Sequence, residues 1–341
     1  MSTNPRIGVF APSSPVPMIE LGMGVDYLRA RGFAVHVHEQ TGAVDFIHAG
    51  TDEQRAGALW ELANDPAIDV LWCARGGYGA NKLPAILDEL TRRHGAPPPK
   101  LLVGFSDVTI LHHYTRTAWG WHALHAAMPA QLAFSKLKPE QINATLTLVR
   151  KQHPGDLFGG THMTFDGHAP DAPITGQVLG GNLATWNYLT GTPHQPHGLD
   201  ATMLFFEDLG EGFYKMDAYL TQLAQSGGLD GVKAIILGGF HGCSDSPGRC
   251  LDGPITDEQL TQALEPGPDG LPRRALRESY EEREAMAHIL APLQERFGFA
   301  VCHKLPVTHG PADYAPLPLG ATYTLGTDGS LTLDAWDWLA G

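Results

Sequence analysis

Cysteine is scarce in this chain. Four cysteines occur among 341 residues, and none belongs to a C-x-x-C pair. The nearest two, Cys243 and Cys250, imply no disulfide framework. Long hydrophobic runs are absent too: no stretch reaches the roughly 18 apolar residues of a membrane span. Residues 1–12 hold no apolar stretch long enough for a secretory signal. We therefore expect a soluble, cytoplasmic protein.

Basic residues are outnumbered by acidic ones. The chain holds 23 Lys and Arg against 37 Asp and Glu, which gives a formal net charge of −14. An acidic surplus argues against nucleic acid or an anionic membrane as the main partner, and we expect neither. At 341 residues, 43% of them hydrophobic, the chain is long enough for two domains or one large one.

Histidine is plentiful, with 17 residues, but its spacing does not indicate a metal site. His112 and His113 are adjacent and would point in different directions on a helix, while His122 and His125 are three apart. No H-E-x-x-H motif or cysteine pair accompanies them. We expect no metal and no other cofactor.

Strand-like and helix-like segments alternate through the first third of the chain. The strand-like segments are 6–11, 34–39, 68–74 and 101–104. This alternation favours an α/β fold with a parallel sheet covered on both faces. Active sites in such sheets gather at the carboxyl ends of the strands.

The second half changes character. Its strand-like segments are 176–183, 203–208, 234–239 and 322–325. Between the halves lies a stretch rich in Pro, Gly, Lys and His with few strand signals. We therefore predict an α/β domain over 1–140, a linker over 141–172 and a β-rich domain over 173–341.

The most distinctive segment is Leu101–Thr109, LLVGFSDVT. Four strand-like residues end at a glycine, Ser106 follows on a tight turn, and a helix-like segment opens directly after it. A serine on such a turn projects its hydroxyl clear of its neighbours, and the first amides of the helix point at whatever the hydroxyl attacks. The pattern favours a nucleophile, although a serine that caps the helix would give the same signal.

A serine hydroxyl needs a base to accept its proton, usually a histidine that is oriented by a carboxylate. His309 is the candidate base, because it follows a short apolar run just before a glycine. Glu207 is the candidate carboxylate, since it ends the apolar run 203–206. Its neighbour Asp208 must point the other way if the strand continues, and the pattern leaves open which of the two faces His309.

The segment Arg75–Gly79, RGGYG, also follows a strand and precedes a helix. Its glycines let backbone amides come close to a ligand. We interpret it as half of an oxyanion hole, in which the amides of Gly77 and Asp107 face the charge of a tetrahedral intermediate. A plain tight turn and a phosphate cradle are the alternatives.

Four motifs, in this order, resemble those of the LD-carboxypeptidases, serine peptidases that recycle cell-wall muropeptides and are related to the microcin-immunity peptidases. The motifs are ARGGYG (74–79), GFSD (104–107), GGNL (180–183) and FED (206–208). The resemblance implies a flavodoxin-like amino-terminal domain, a smaller β-rich carboxy-terminal domain, an active site between them, and a homodimer without a metal. The site residues that it implies are the nucleophile Ser106, the orienting acid Glu207, the base His309 and the oxyanion donors Gly77 and Asp107.

The family reaction removes the terminal D-alanine of a murein tetrapeptide, so the resemblance implies this substrate. A basic residue should bind the terminal carboxylate, and Arg75 is the nearest candidate; Asn182, in GGNL, is a second candidate for substrate binding. Two departures concern substrate choice. Ala126 stands where the family has a glycine after His125, and the segment 244–283 is longer than a minimal member needs.

Two other functions stay open. A related peptidase would cleave a peptide–nucleotide toxin, whose base needs an aromatic face such as that of Trp186, although a tryptophan in this position is more often part of a core. A non-catalytic module would bind a small ligand on the α/β domain. Convergence of Ser106, Glu207 and His309 distinguishes an enzyme from such a module.

Overall fold

The structure is a computed structural model. The residues that it describes are 4–132, 139–167, 169–244, 249–250, 277–278, 282–309 and 314–340. Most of the segment 244–283, which the sequence singles out as long, falls outside them.

Helices occur in both halves of the chain. The α-helices within the described residues are α1 (Met18–Ala30), α2 (Asp52–Asn64), α3 (Leu83–His94), α4 (Thr109–Trp119), α5 (Pro129–Leu132), α6 (Pro139–Val149), α7 (Leu183–Asn187), α8 (Phe213–Gln225), α9 (Glu282–Phe297) and α10 (Asp337–Ala340). Short 3-10 turns cover Glu39–Gly42, Ala80–Lys82 and Ser106–Val108. Among the described residues, no helix is both long enough and apolar enough to cross a membrane.

The first sheet has six strands. They are β1 (Ile7–Phe10), β2 (Val35–Val37), β3 (Val70–Cys73), β4 (Leu101–Gly104), β5 (His122–His125) and β13 (Leu317–Leu319). The first five are parallel and lie in the order β2-β1-β3-β4-β5, while β13 is antiparallel to β5. This is the flavodoxin-like order, so the expected fold of the amino-terminal half is confirmed.

The second sheet has seven strands. They are β6 (Thr164–Asp166), β7 (Ile174–Asn182), β8 (Thr202–Leu209), β9 (Ala234–His241), β12 (Ala300–His303), β14 (Thr322–Leu325) and β15 (Leu331–Ala335). The central strands β7, β8, β9 and β12 are parallel, and β6, β14 and β15 pair antiparallel at the edges. A two-residue pair, β10 (Arg249–Cys250) with β11 (Arg277–Glu278), stands apart from both sheets.

The two sheets follow the predicted halves in outline but not in every strand. The stretch 141–172, predicted as a linker, contains most of α6 and all of β6, which pairs with β12 in the second sheet. The late strand β13 completes the first sheet rather than the second. The boundaries at 140 and 173 stay a prediction: β6, from the stretch before 173, joins the second sheet, and β13, from the stretch after it, joins the first.

The central strands of the first sheet are buried, and polar residues lie at the carboxyl ends of strands. Every residue of β1, β3 and β4 is buried, as expected for strands covered on both faces. Polar residues accumulate at the carboxyl ends of β4 and β8, where the active sites of parallel sheets lie.

Candidate active site

Ser106 lies on a strained turn between β4 and α4. Its φ is 65°, an uncommon value for a residue other than glycine, and such strain often marks a functional site. A Cβ on Gly76 would lie 3.0 Å from the Cβ of Ser106. The segment 75–79, called the glycine loop below, therefore passes directly beside the serine. Phe105, and not Ser106, occupies the cap position of the 3-10 turn, and no side chain caps it. The alternative that Ser106 serves as a helix cap is therefore wrong.

Glu207 and His309 form a hydrogen-bonded pair, although 102 positions separate them in the chain. The carboxylate accepts from Nδ1 of the ring, and it has no solvent exposure. Asp208 points the other way, accepting from Asn182 Nδ2 at 2.9 Å and from the amide of Ala184 at 3.0 Å. The structure thus decides which carboxylate meets the histidine.

A bulge in the second sheet makes room for this pair. Opposite Glu207 in β8, the neighbouring strand β9 places two residues, Gly238 and Gly239. A Cβ on Gly238 would lie 2.1 Å from the carbonyl oxygen of Val307. The glycine therefore lets the segment that carries His309 pass close against the strand.

Phe105 connects the pair to the serine turn. Its ring centroid lies 4.7 Å from that of His309 and 5.4 Å from that of Tyr314. His309 consequently packs on the residue that immediately precedes Ser106. Within the described residues no hydrogen bond joins Ser106 to His309, and such bonds in unliganded enzymes often tighten only when substrate binds.

Two opposed effects set the charge state of His309. Burial lowers its pKa, but the charge of Glu207 and the hydrogen bond to it raise the pKa, Asp208 adds to this, and the net pKa lies above the ordinary value. Asp208 is itself affected: burial first, and then the charge of Glu207, raise its pKa to about 6. A buried carboxylate beside a histidine is the arrangement that stabilises an imidazolium.

The glycine loop is held by hydrogen bonds to two turns, that of Ser14 after β1 and that of Ser106 after β4. Gly77 has a φ of 121°, and the next amide, of Tyr78, donates to Ser14 Oγ at 3.1 Å. The Asp107 carboxylate accepts from the amide of Ala80 at 2.8 Å and so ties the loop to the turn of Ser106. Burial raises the pKa of Asp107, more than its hydrogen bonds lower it. The described hydrogen bonds do not use the amide of Gly77, which leaves it available to a ligand.

Arg55 is a scaffold residue that the sequence analysis missed. Its fully buried guanidinium donates to the carbonyl oxygens of Pro12 at 2.5 Å and Gly79 at 2.8 Å, and it pairs with Asp52. It thereby clamps the glycine loop to the turn after β1. An arginine on an amphipathic helix gives no signal of such burial; the polar Pro-Ser-Ser-Pro turn at the end of β1 was the available hint.

The two residues predicted to bind substrate have structural partners. Arg75 is half-buried and donates to the carbonyl oxygen of Pro15 at 3.0 Å. Asn182 caps α7, accepting from the amide of Thr185 at 3.0 Å, while its amide group donates to Asp208. In the described contacts, Asn182 therefore holds the Asp208 carboxylate in place. Its role in binding substrate stays a prediction.

The histidines of the first half are not arranged for a metal. The described residues contain no group of three or more His, Cys, Asp or Glu that could hold one. Burial, with a contribution from Arg116, lowers the pKa of His112 to about 3 and that of His113 to about 4. Both rings are therefore neutral at pH 7.

Two family models together match more than half of this chain. Residues 7–126 match the LD-carboxypeptidase N-terminal domain and residues 175–325 match the LD-carboxypeptidase C-terminal domain. A putative carboxypeptidase of Streptomyces coelicolor is 39% identical over 242 residues, 70% of this chain and 76% of the relative. The murein tetrapeptide carboxypeptidase of Pseudomonas aeruginosa is 30% identical over 246 residues, 70% of this chain and 77% of the relative.

A solved structure shows the same fold. The microcin C7 self-immunity protein, known from Escherichia coli and solved in complex with glutamyl sulfamoyl guanosine, superimposes with a TM-score of 0.72. The alignment covers 98% of this chain and 97% of that chain at 18% identity. At that identity the likeness bears on the fold alone.

Proposed function

This chain belongs to the LD-carboxypeptidase family, and we propose that it removes the terminal D-alanine from murein tetrapeptides during cell-wall recycling. The observation that carries the proposal is the buried pair of Glu207 and His309 packed against the strained turn of Ser106. The name of the Pseudomonas relative, at 30% identity, supports the choice of substrate.

The proposed chemistry assigns one task to each residue. Ser106 Oγ attacks the carbonyl carbon of the L,D bond while the free nitrogen of His309 takes its proton. Glu207 accepts from the other nitrogen of the ring and stabilises the imidazolium. The amides of Gly77 and Asp107 hold the oxyanion. Collapse of the intermediate releases D-alanine, whose amine takes the proton back from His309, and water then hydrolyses the acyl-enzyme by the same route.

The two alternatives have less support. Trp186, the aromatic residue considered for a nucleotide base, is buried in the core, with its ring 5.3 Å from that of His113 and 6.4 Å from that of Phe206. Trp186 therefore offers no exposed face on which the base of a peptide–nucleotide could stack. A non-catalytic module gives no reason for burying a carboxylate against a histidine, an arrangement that costs desolvation energy.

The deciding experiment measures D-alanine release from a free murein tetrapeptide. The purified wild type is compared with Ser106→Ala, with a matched Ser226→Ala variant at the end of α8, and with wild type in a chelator. We expect release by wild type and Ser226→Ala, no effect of the chelator, and a loss of about 10⁴-fold or more in Ser106→Ala. Release by Ser106→Ala at the wild-type rate would contradict the nucleophile. No release by any variant, with cleavage of a peptide–nucleotide by wild type, would move the substrate to the alternative.

The proposal also includes a homodimer located in the cytoplasm, as the family resemblance implies. Light scattering of the purified protein measures the mass in solution, for which one chain contributes 36.7 kDa. Fractionation of the producing cells locates it. A monomer, or recovery outside the cytoplasmic fraction, would contradict this part of the proposal without touching the chemistry.

A further inference from the structure

A cavity of about 870 Å³ lies away from the catalytic residues. Its walls are the carboxyl-terminal half of α4, the first residues of β7 and β8, and the connection 193–201. Since β7 and β8 are parallel, their amino ends lie at the edge of the second sheet opposite to the carboxyl ends, where Glu207 stands. The cavity is therefore a separate place in the molecule, and nothing in the proposed reaction uses it.

Arg116, which lines this cavity, is a cation without a counter-ion among the described residues. The Nε–Nη2 edge of its guanidinium lies against Gly320, where a Cβ would fall 2.2 Å from both nitrogens. The side chain is half-buried, and burial lowers its pKa. No hydrogen bond or ion pair of this guanidinium occurs within the part of the chain that the structure describes. A charge taken from water without a partner is costly.

The groups around Arg116 do not neutralise it. The neighbouring rings of His112 and His113 are neutral, and their pKa values are lowered by burial and by the charge of Arg116 itself. His194, on the opposite wall, binds Asp88 at 2.9 Å, so that carboxylate is already engaged. The acidic residue of the lining is Asp200, which is exposed.

We propose that this cavity binds a small oxyanion, a carboxylate or a phosphate, on Arg116. A guanidinium presents parallel N–H donors that match either group in a bidentate pair, and the anion would supply the missing counter-charge. Gln177, on the β7 wall, adds a neutral donor to the same cavity. The volume accommodates a small molecule that carries such a group.

The test measures anion binding directly, by calorimetry and by the rise in Tm, with inorganic phosphate and with succinate at constant ionic strength, against chloride. We expect one of the two anions to raise the Tm of the wild type saturably, by roughly 2–5 °C. Arg116→Gln should lose the response. Arg29→Gln, which removes an exposed arginine elsewhere, should keep it. Which anion acts identifies the group as phosphate or carboxylate.

A second variant keeps the test decisive if Arg116→Gln does not fold. Gln177→Glu places a carboxylate on the wall of the cavity, so the protein supplies its own counter-ion. We expect this variant to lose the anion response while its Tm without anion equals or exceeds that of the wild type. The proposal is overturned if neither anion binds the wild type, or if Arg116→Gln or Gln177→Glu binds as the wild type does.

Discussion

The two sheets contribute to the site in different ways. The first sheet contributes shape: its turns hold Ser106 at a φ of 65° and Gly77 at 121°. The second sheet contributes charge: its strand β8 buries Glu207 against His309 and raises the pKa of the ring. In the proposed mechanism the first sheet positions the nucleophile and the oxyanion donor, and the second sheet supplies the proton acceptor. Either contribution can be removed by substitution while the other is kept.

Of the two contributions, the charge of the second sheet is expected to have the larger effect on activity. Glu207→Gln keeps the shape of the side chain but takes away the carboxylate, so we expect kcat/KM to fall by roughly 10³–10⁴-fold. The activity of the wild type should fall as the pH drops through the raised pKa of His309, because a protonated ring accepts no proton. Without Glu207, burial dominates and lowers that pKa, so the acidic limb should move to lower pH. An acidic limb of kcat/KM that does not move, or moves upward, would contradict the electrostatic role of the second sheet.

A smaller effect is expected from disturbing the shape alone. A Cβ on Gly77 would lie 2.2 Å from Ser14 Oγ, and the φ of 121° is itself unfavourable for alanine. Gly77→Ala should displace one oxyanion donor and lower kcat by about 10²-fold, with the pH profile unchanged. Gly95→Ala is the matched control, since Gly95 also has a positive φ but open space around it. It should cost stability only, and an equal loss of kcat in both variants would show that the effect is not local to the oxyanion hole.

Arg75 tests whether the first sheet also binds the substrate. Arg75→Ala should raise KM by about tenfold for substrates with a free terminal carboxylate, as expected for the loss of one charge-assisted hydrogen bond, and should change kcat little. For substrates whose terminal carboxylate is amidated, the KM of Arg75→Ala should equal that of the wild type. Steady-state kinetics on the two substrate forms measure this, and an equal loss on both would assign Arg75 to holding the Pro15 turn instead.

The smallest effect on activity is expected at Tyr314, which lies between the serine turn and the pair of Glu207 and His309. Tyr314 packs on Phe105, and its buried hydroxyl has no hydrogen-bond partner in the described part of the chain. Tyr314→Phe should keep kcat/KM within about twofold and leave Tm equal or higher, because an unpaired buried hydroxyl is unfavourable. Tyr323→Phe removes a hydroxyl that donates to Pro318 at 3.0 Å and should lower Tm. A large fall in kcat for Tyr314→Phe would instead indicate that this hydroxyl acts on Glu207.

Some of this arrangement is readable from short stretches of sequence. The strand, glycine and serine of 101–106 fix a tight turn by local sterics, and the local capping box of Thr51 and Gln54 begins α2. The alternation of strands and helices in the first third predicts the parallel sheet. Period-two alternation along β8 predicts that Glu207 and Asp208 diverge, which they do.

Other features depend on contacts that no short pattern contains. Which carboxylate meets His309 depends on the bulge opposite Glu207. The burial of Arg55 depends on two loops that meet only in the folded chain. The strand β6 gives no signal in the sequence, because a three-residue edge strand has too few residues to show a period.

The sequence by itself determined the parallel strands of the first third, the tight turn at Ser106 and the family, because these follow from steric preferences and motifs over short stretches of chain. The tertiary structure alone decided which carboxylate pairs with His309 and that β13 pairs in the first sheet. It also decided that Arg116 lies apart from every described carboxylate. Each of these depends on which distant surfaces pack together. Burial and charge are properties of that packing, and they decide where a proton or an anion is held.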